Sequence, residues 1–198
     1  MSTVVDLRKF RDRGRSVPTL VLVDLHHDLF DLFEVNDVSG PTRAALDNCF
    51  AVLRHARALG FPVAFTRRVA APETLAGAPS YPRWINGFEP QRADMVFDHC
   101  LPSCYASAEF AEMAEHLGGN FVVAGQAGEL SCLSTAVDAF HRDQRPTFLT
   151  DALVTRGGRD LPAAMMEQAL AHIVSLYVET DTVEGWMSAT SRRVKVRE

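Results

Sequence analysis

The chain has 198 residues, a formal net charge of −5 and a hydrophobic fraction of 47%, with a sequence pI near 5.8. That length suits one domain with a single large core, and the acidic balance leaves no basic field for a phosphate backbone, so nucleic acid is not an expected partner. No apolar run approaches the roughly 20 residues of a membrane span, and the N-terminus lacks the hydrophobic stretch of a signal peptide; a cytoplasmic protein with no membrane partner is expected.

Residues Met1 to Ser16 interleave Arg8, Lys9, Arg11, Arg13 and Arg15 with Asp6 and Asp12, and read as a polar arm (1–16) ahead of a single domain spanning 17–198. Pro18 to Asp24 is a buried strand that ends in a carboxylate. From Pro41 to Leu59 the apolar residues Leu46, Cys49, Phe50, Leu53 and Ala56 recur at helical spacing, with Gly60 as the stop. Phe61 to Thr66 is the second strand. Residues Arg67 to Arg92 are rich in Pro, Gly and Ala and carry Tyr81, Trp84 and Phe88, as a loop that covers a site would. Asp94 to His99 gives a third strand, and Ser107 caps a helix that runs to Leu117 and stops at Gly118.

The apolar run Phe121 to Ala124 then suits a parallel strand covered on both faces. Gly125 and Gly128 relax the backbone after it, and a helix is expected to begin at Ser131 with a near face of Ser, Ala and Thr. Pro146 to Asp151 is a fifth strand, Leu161 to His172 a helix and Ser175 to Thr180 a sixth strand. Strands alternating with helices imply right-handed crossovers, hence a three-layer, Rossmann-like α/β fold with a six-stranded parallel sheet and helices on both faces.

Ligands in such sheets bind at the carboxyl ends of the strands, where strand order reverses. Asp24, Thr66 with Arg67 and Arg68, His99, the Gly125 to Ser131 turn and Asp151 occupy those ends. A carboxylate at the end of a buried strand suits general acid or base work, although Asp24 reads equally well as a loop anchor. His99 alone reads as a structural histidine and Ser131 alone as a helix cap. Arg67 and Arg68 suit a substrate carboxylate, or an acidic neighbour such as Glu73. Trp84 and Phe88 suit an apolar wall over a ring, or a subunit contact. The four cysteines, Cys49, Cys100, Cys104 and Cys132, are irregularly spaced and read as free thiols, though Cys100 and Cys104 are close enough to share a metal. The two lysines, Lys9 and Lys195, lie near the termini.

Three segments together resemble the isochorismatase-like (cysteine hydrolase) family. Val21-Leu-Val-Asp24 with Leu25-His-His-Asp28-Leu-Phe30 is similar to the family's strand, its catalytic aspartate and a following Asp-Phe-like pair. His99-Cys-Leu-Pro-Ser103-Cys-Tyr105 is similar to the segment in which a catalytic lysine precedes a Ser-Ala-Phe-like triplet. Gly125 to Ala139, continuing to Ala152, resembles the nucleophile turn, helix and next strand. The resemblance implies a six-stranded parallel sheet, assembly as a homodimer or homotetramer, and an Asp-Lys-Cys triad whose thiolate attacks an amide carbon, with backbone N–H groups near Gly128 to Ser131 holding the oxyanion.

Here Asp24 matches the aspartate, His99 stands at the lysine position and Ser131 at the cysteine position. A serine hydroxyl is a far poorer nucleophile than a thiol at neutral pH. The run Leu130-Ser131-Cys132-Leu133 resembles the vinyl-ether-cleaving branch, which has a small residue in place of the nucleophile and uses the aspartate as proton donor. The family's zinc-dependent members carry an Asp-x-His set in a later loop; none occurs between Arg67 and Pro90, and no metal or other cofactor is expected. The expected function is a hydrolase of a small, acidic metabolite using Asp24, His99 and Ser131, with Arg68, Trp84, Gly128 and Cys132 around the substrate. The alternatives are an amidase using Ser131 or Cys132, a Ser131–His99–Asp24 relay, and a silent family member kept for binding.

Overall fold

The structure is a computed structural model that describes residues 17–27, 40–69, 81–155 and 160–195. The polar arm, the Asp28–Phe30 pair and Glu73 lie outside the described residues. Six strands, β1 (Thr19–Val23), β2 (Val63–Arg68), β3 (Met95–His99), β4 (Phe121–Gly125), β5 (Thr147–Leu153) and β6 (Glu179–Asp181), form one sheet in the order β3-β2-β1-β4-β5-β6. Every pairing is parallel, so the three-layer, six-stranded α/β expectation holds.

Alternation along the central strands assigns the two faces. Leu20 and Leu22 of β1 with Val122 and Ala124 of β4 pack under α1 (Gly40–Ala58) and α5 (Val183–Lys195), where Cys49, Leu53, Val183 and Trp186 are buried. Val21, Val23, Phe121 and Val123 face α2 (Ala108–His116), α3 (Leu133–His141) and α4 (Ala163–Ser175) through Phe110, Ala136 and Leu170. Both faces of β1 and β4 are thus dry, which explains their continuous apolar runs. Ser107 caps α2 by accepting the Phe110 N–H, as its position predicts.

Several boundaries differ from the sequence reading. The buried stripe of α1 is Ala45, Cys49, Val52, Leu53 and Ala56, whereas Phe50 lies 39% exposed and packs edge-on against Phe88. Phe88 is itself 4% exposed, so it belongs to the core and is no wall for a ligand. β5 runs on to Leu153, which leaves Asp151 inside the strand; its carboxylate accepts the Val183 N–H at the start of α5. Asp151 is a helix anchor, away from the strand ends. The apolar run Leu176 to Val178 belongs to the turn before β6, because α4 continues to Ser175.

Chain order sets a topological switch point. β1 pairs with β2 on one side and β4 on the other, so the crossovers diverge between β1 and β4, where a parallel sheet opens a cleft at its carboxyl edge. Gly125 closes β4 at this point with φ 147°, and a Cβ there would lie 2.3 Å from the Val23 carbonyl oxygen. Only glycine allows the two strands to approach this closely.

Candidate active site

Asp24 follows β1 directly and takes the left-handed backbone conformation, φ 52°, as does Ala127 after β4 with φ 54°. Such angles cost a non-glycine residue about 1–2 kcal/mol, and two of the three examples among the described residues lie on the two sides of the switch-point cleft. The Asp24 N–H donates to the Thr66 carbonyl at 3.2 Å and its carbonyl accepts the His26 N–H at 2.7 Å. The turn aims the carboxylate across the strand ends and holds it there.

Three side chains converge on that carboxylate. His99, the last residue of β3, places Nε2 at 2.9 Å from Asp24 Oδ1. Thr66 of β2 donates to the same oxygen at 3.3 Å, and Ser131 Oγ donates to Oδ2 at 2.6 Å. Asp24 and Ser131 are 0% exposed and His99 2%. The sequence therefore brings Asp24, His99 and Ser131 together from positions 75 and 107 residues apart.

The protonation state follows from the partners. The Leu101 carbonyl lies 2.7 Å from His99 Nδ1 and can only accept, so Nδ1 carries hydrogen. Nε2 faces a carboxylate. With both ring nitrogens before acceptors, His99 is an imidazolium paired with ionised Asp24. Burial opposes both charges, yet the bond and the attraction between the two groups outweigh it: His99 is raised above its ordinary 6.5 and Asp24, aided by the Ser131 bond, is lowered below 3.8. His99 thus supplies a buried cation beside the Asp24 carboxylate.

A pH dependence of stability results, with a sign for each group. A raised histidine contributes stability fully below its unfolded value and loses it as pH rises through the folded value; a lowered aspartate contributes above its unfolded value and loses it on acidification. The pair is expected to stabilise the fold fully between the ordinary values of 3.8 and 6.5, with losses on either side. Denaturant midpoints across pH check this, and a His99→Gln variant should lack the alkaline decline.

Ser131 does not cap a helix. Residues Gly128–Cys132 form a π-turn and α3 starts only at Leu133, with no side-chain cap; the wider turn swings Ser131 toward Asp24. Thr135, one helical turn on, donates to the Ser131 carbonyl at 2.7 Å and accepts the Cys104 N–H at 3.0 Å. It ties the segment after β3 to the serine turn. The i, i+4 spacing of Ser131 and Thr135 was a readable signal for this role.

Neither nearby thiol is placed for attack. Cys132 Sγ lies 3.5 Å from the Gln126 carbonyl, and the side chain is 0% exposed in the core facing α2, α3 and α4. Burial pushes its pKa well above 9.0. Cys104 packs against Thr66, and burial pushes it up to about 12. Both thiols stay protonated at neutral pH, and Cys132 packs in the core one residue beyond Ser131. Cys100 is exposed while Cys104 is buried, and among the described residues no cluster of three metal-binding side chains occurs.

Gly128 also has a structural task. Its N–H donates to the Val154 carbonyl at 3.0 Å, so that group cannot hold an oxyanion, and a Cβ would meet Leu170 at 2.7 Å. Trp84 reaches the region through an antiparallel bridge to His26: His27 N–H donates to the Arg83 carbonyl and Ile85 N–H to the Leu25 carbonyl. Its ring lies edge-on to His26 and Phe65.

The two arginines divide. Arg67 makes a two-pronged bond to Asp98 at 2.8 and 3.0 Å and stacks on Tyr81, so its partner is internal. Arg68 stands opposite His99 in the β2–β3 register, and its charge opposes that of the imidazolium. Asp24, His99 and Arg68 together carry one net positive charge.

A buried acid–base pair at the switch point of a doubly wound parallel sheet defines the class of the fold, a Rossmann-like α/β protein with titratable groups at its strand ends. Residues 18–177 match the family described as Isochorismatase domain, and the chain belongs to the isochorismatase family of hydrolases. No curated protein matches it in sequence. Among solved structures it is similar to a cysteine hydrolase from Pseudomonas syringae pv. phaseolicola, with TM-score 0.72 and 17% identity over 94% of this chain and 100% of that one. It is also similar to an isochorismatase from Pseudomonas putida, with TM-score 0.65 and 22% identity over 90% and 96% of the two chains. N-carbamoylsarcosine amidase from Thermoplasma acidophilum gives TM-score 0.61 at 18% identity over 84% and 96%. At these identities the likeness concerns the fold. No helix among the described residues is long and apolar enough to cross a membrane.

Proposed function

We propose that the chain hydrolyses a small anionic metabolite by proton transfer through Asp24 and His99, without a covalent thiol intermediate. The observation that carries this is the buried bond between Asp24 Oδ1 and His99 Nε2 at 2.9 Å, together with both neighbouring thiols being held in the core. The imidazolium stores the proton and the carboxylate delivers it. For a vinyl ether, the proton passes from Nε2 through Asp24 to the terminal alkene carbon, water adds to the resulting oxocarbenium carbon and returns a proton to the pair, and the hemiketal breaks into a ketone and an alcohol. The positive balance of His99 and Arg68 over Asp24 favours an acidic substrate.

A second reading has Ser131 as nucleophile, favoured by its 2.6 Å contact with Asp24 Oδ2. Against it, a carboxylate lowered by its partners is a weak base for a hydroxyl, and the imidazole bonds the other carboxylate oxygen. The two separate on incubating wild type and Ser131→Ala with isochorismate and a panel of small amides, with products read by mass spectrometry. We expect vinyl-ether turnover, with Ser131→Ala within about tenfold of wild type, the scale of one lost hydrogen bond. Amide turnover that falls on the order of 10⁴ or more in Ser131→Ala would establish the serine nucleophile instead. No turnover of any member by a folded wild type would favour a fold kept for binding.

A further inference from the structure

The residue between Gly125 and Ala127 has no part in the chemistry above. Gln126 is 4% exposed, and its side-chain oxygen Oε1 meets no hydrogen-bond partner among the described residues. Its backbone is fully engaged at the cleft: the N–H donates to the Val23 carbonyl at 2.8 Å, one residue before Asp24, and the carbonyl receives the Cys132 thiol, one residue after Ser131. The side chain therefore starts from the point where β1 and β4 part, between the two catalytic segments. A buried amide oxygen without a partner forfeits its hydration and gains nothing in return, so most such groups in folded proteins are satisfied. One that stays unsatisfied on a residue whose backbone is bonded to the strand end before Asp24 is a contact open to a ligand.

We infer that Gln126 is a specificity-determining residue, which binds an uncharged hydroxyl or amide of the substrate next to the bond that Asp24 acts on. This rests on the hydrolase reading above and adds to it the substrate's second recognition group. A carboxamide matches a neutral donor: an ionised group would be better met by Arg68, and an apolar group would leave Oε1 as it is. Because the amide can rotate end for end, Nε2 serves a substrate acceptor equally well. The substrate class is thus an anion that also carries a neutral polar group close to its scissile bond.

Thr155 provides an internal control. It is 0% exposed and its Oγ1 likewise has no partner among the described residues, but it lies on the α4 side of the turn, where its methyl would stand 3.2 Å from a Cβ at Gly128, close to Leu170. A buried orphan hydroxyl in the core should respond to an apolar replacement in stability alone.

The experiment compares wild type, Gln126→Met and Thr155→Val by denaturant midpoint without ligand, then by kinetics on isochorismate. Gln126→Met should be at least as stable as wild type, because an isosteric apolar side chain removes the orphan, and its KM should rise about 3- to 15-fold, the value of one neutral hydrogen bond. Thr155→Val should keep its KM. An unchanged KM in Gln126→Met, or a midpoint below wild type, overturns the assignment; an equal rise in both variants does the same. If wild type turns over neither isochorismate nor any amide, the hydrolase reading fails by itself. The Gln126 assignment is then decided by ligand-induced stabilisation: isochorismate or an amide that raises the denaturant midpoint of wild type but not of Gln126→Met upholds it, and an equal rise, or none, in both proteins overturns it.

Discussion

Replacing Asp24 by Asn is expected to lower turnover by a factor on the order of 10³ or more while the protein stays folded. Asn tolerates the left-handed conformation that Asp24 adopts, almost alone among polar residues in doing so, so the substitution removes the charge and leaves the backbone turn. What is lost is the group that moves the proton, and acid–base catalysis of this kind accounts for roughly 10²–10⁴ in rate. A second effect adds to it: an amide opposite Nε2 no longer favours the imidazolium, so the stored proton leaves as well. Product formation by mass spectrometry, beside a denaturant midpoint for each protein, checks the expectation. Retention of more than a tenth of wild-type activity would remove Asp24 from the chemistry. In wild type the activity should fall on the alkaline side, as pH rises through the raised value of His99; a flat profile there would contradict the stored-proton role.

The largest effect on stability is expected from His99→Ala. Removing one member of a buried ion pair leaves the other charge without compensation, at a cost of about 3–5 kcal/mol, and Asp24 is fully buried with His99 as its cationic partner. Chemical denaturation at pH 6 measures this. Two controls make the origin clear. His99→Lys restores a cation and should recover a good part of the loss, while Asp24→Asn combined with His99→Ala should be more stable than His99→Ala alone, since the orphaned carboxylate is gone. If all three variants lose the same amount, the histidine acts through packing and the ion pair contributes little.

The sheet was readable because β1 and β4 are buried on both faces, which forces runs such as Thr19 to Val23 and Phe121 to Ala124 that no amphipathic helix shows. The candidate trio was readable for a different reason: Asp24, His99 and Ser131 lie at or beyond strand ends at the carboxyl edge, and the family resemblance joined them, since His99 and Ser131 taken singly read as a structural histidine and a helix cap. The helix α5 was not read, since its inward face carries Thr190, 2% exposed, which bonds back to the Trp186 carbonyl and receives His55. A polar residue on the buried stripe hides the period. The π-turn at Gly128–Cys132 was also invisible; it depends on the Val154 contacts to Gly125 and Gly128, which are tertiary. For the same reason the packing of Cys132 and Gly128 was not legible, as it is set by which side of the turn each residue shows to the core. Arg67 was ambiguous until Asp98, its neighbour across the β2–β3 register, claimed it.

The strand order has a consequence for how the molecule comes into being. Among the described strands the first, β1, lies at the middle of the sheet; the chain then builds outward to β3 and only afterwards returns to lay β4 against the free edge of β1, pairing Thr19 with Phe121. During synthesis the first half can join Asp24 to His99, but that apolar edge of β1 is covered only when Phe121–Gly125 follows, about a hundred residues after β1 itself. Long-range parallel pairing is slow and leaves such edges open to wrong partners. Ser131 reaches Asp24 only when this last seam closes, so the completed site reports that folding has finished, and a nascent or truncated chain exposes a sticky edge in place of a partly working enzyme.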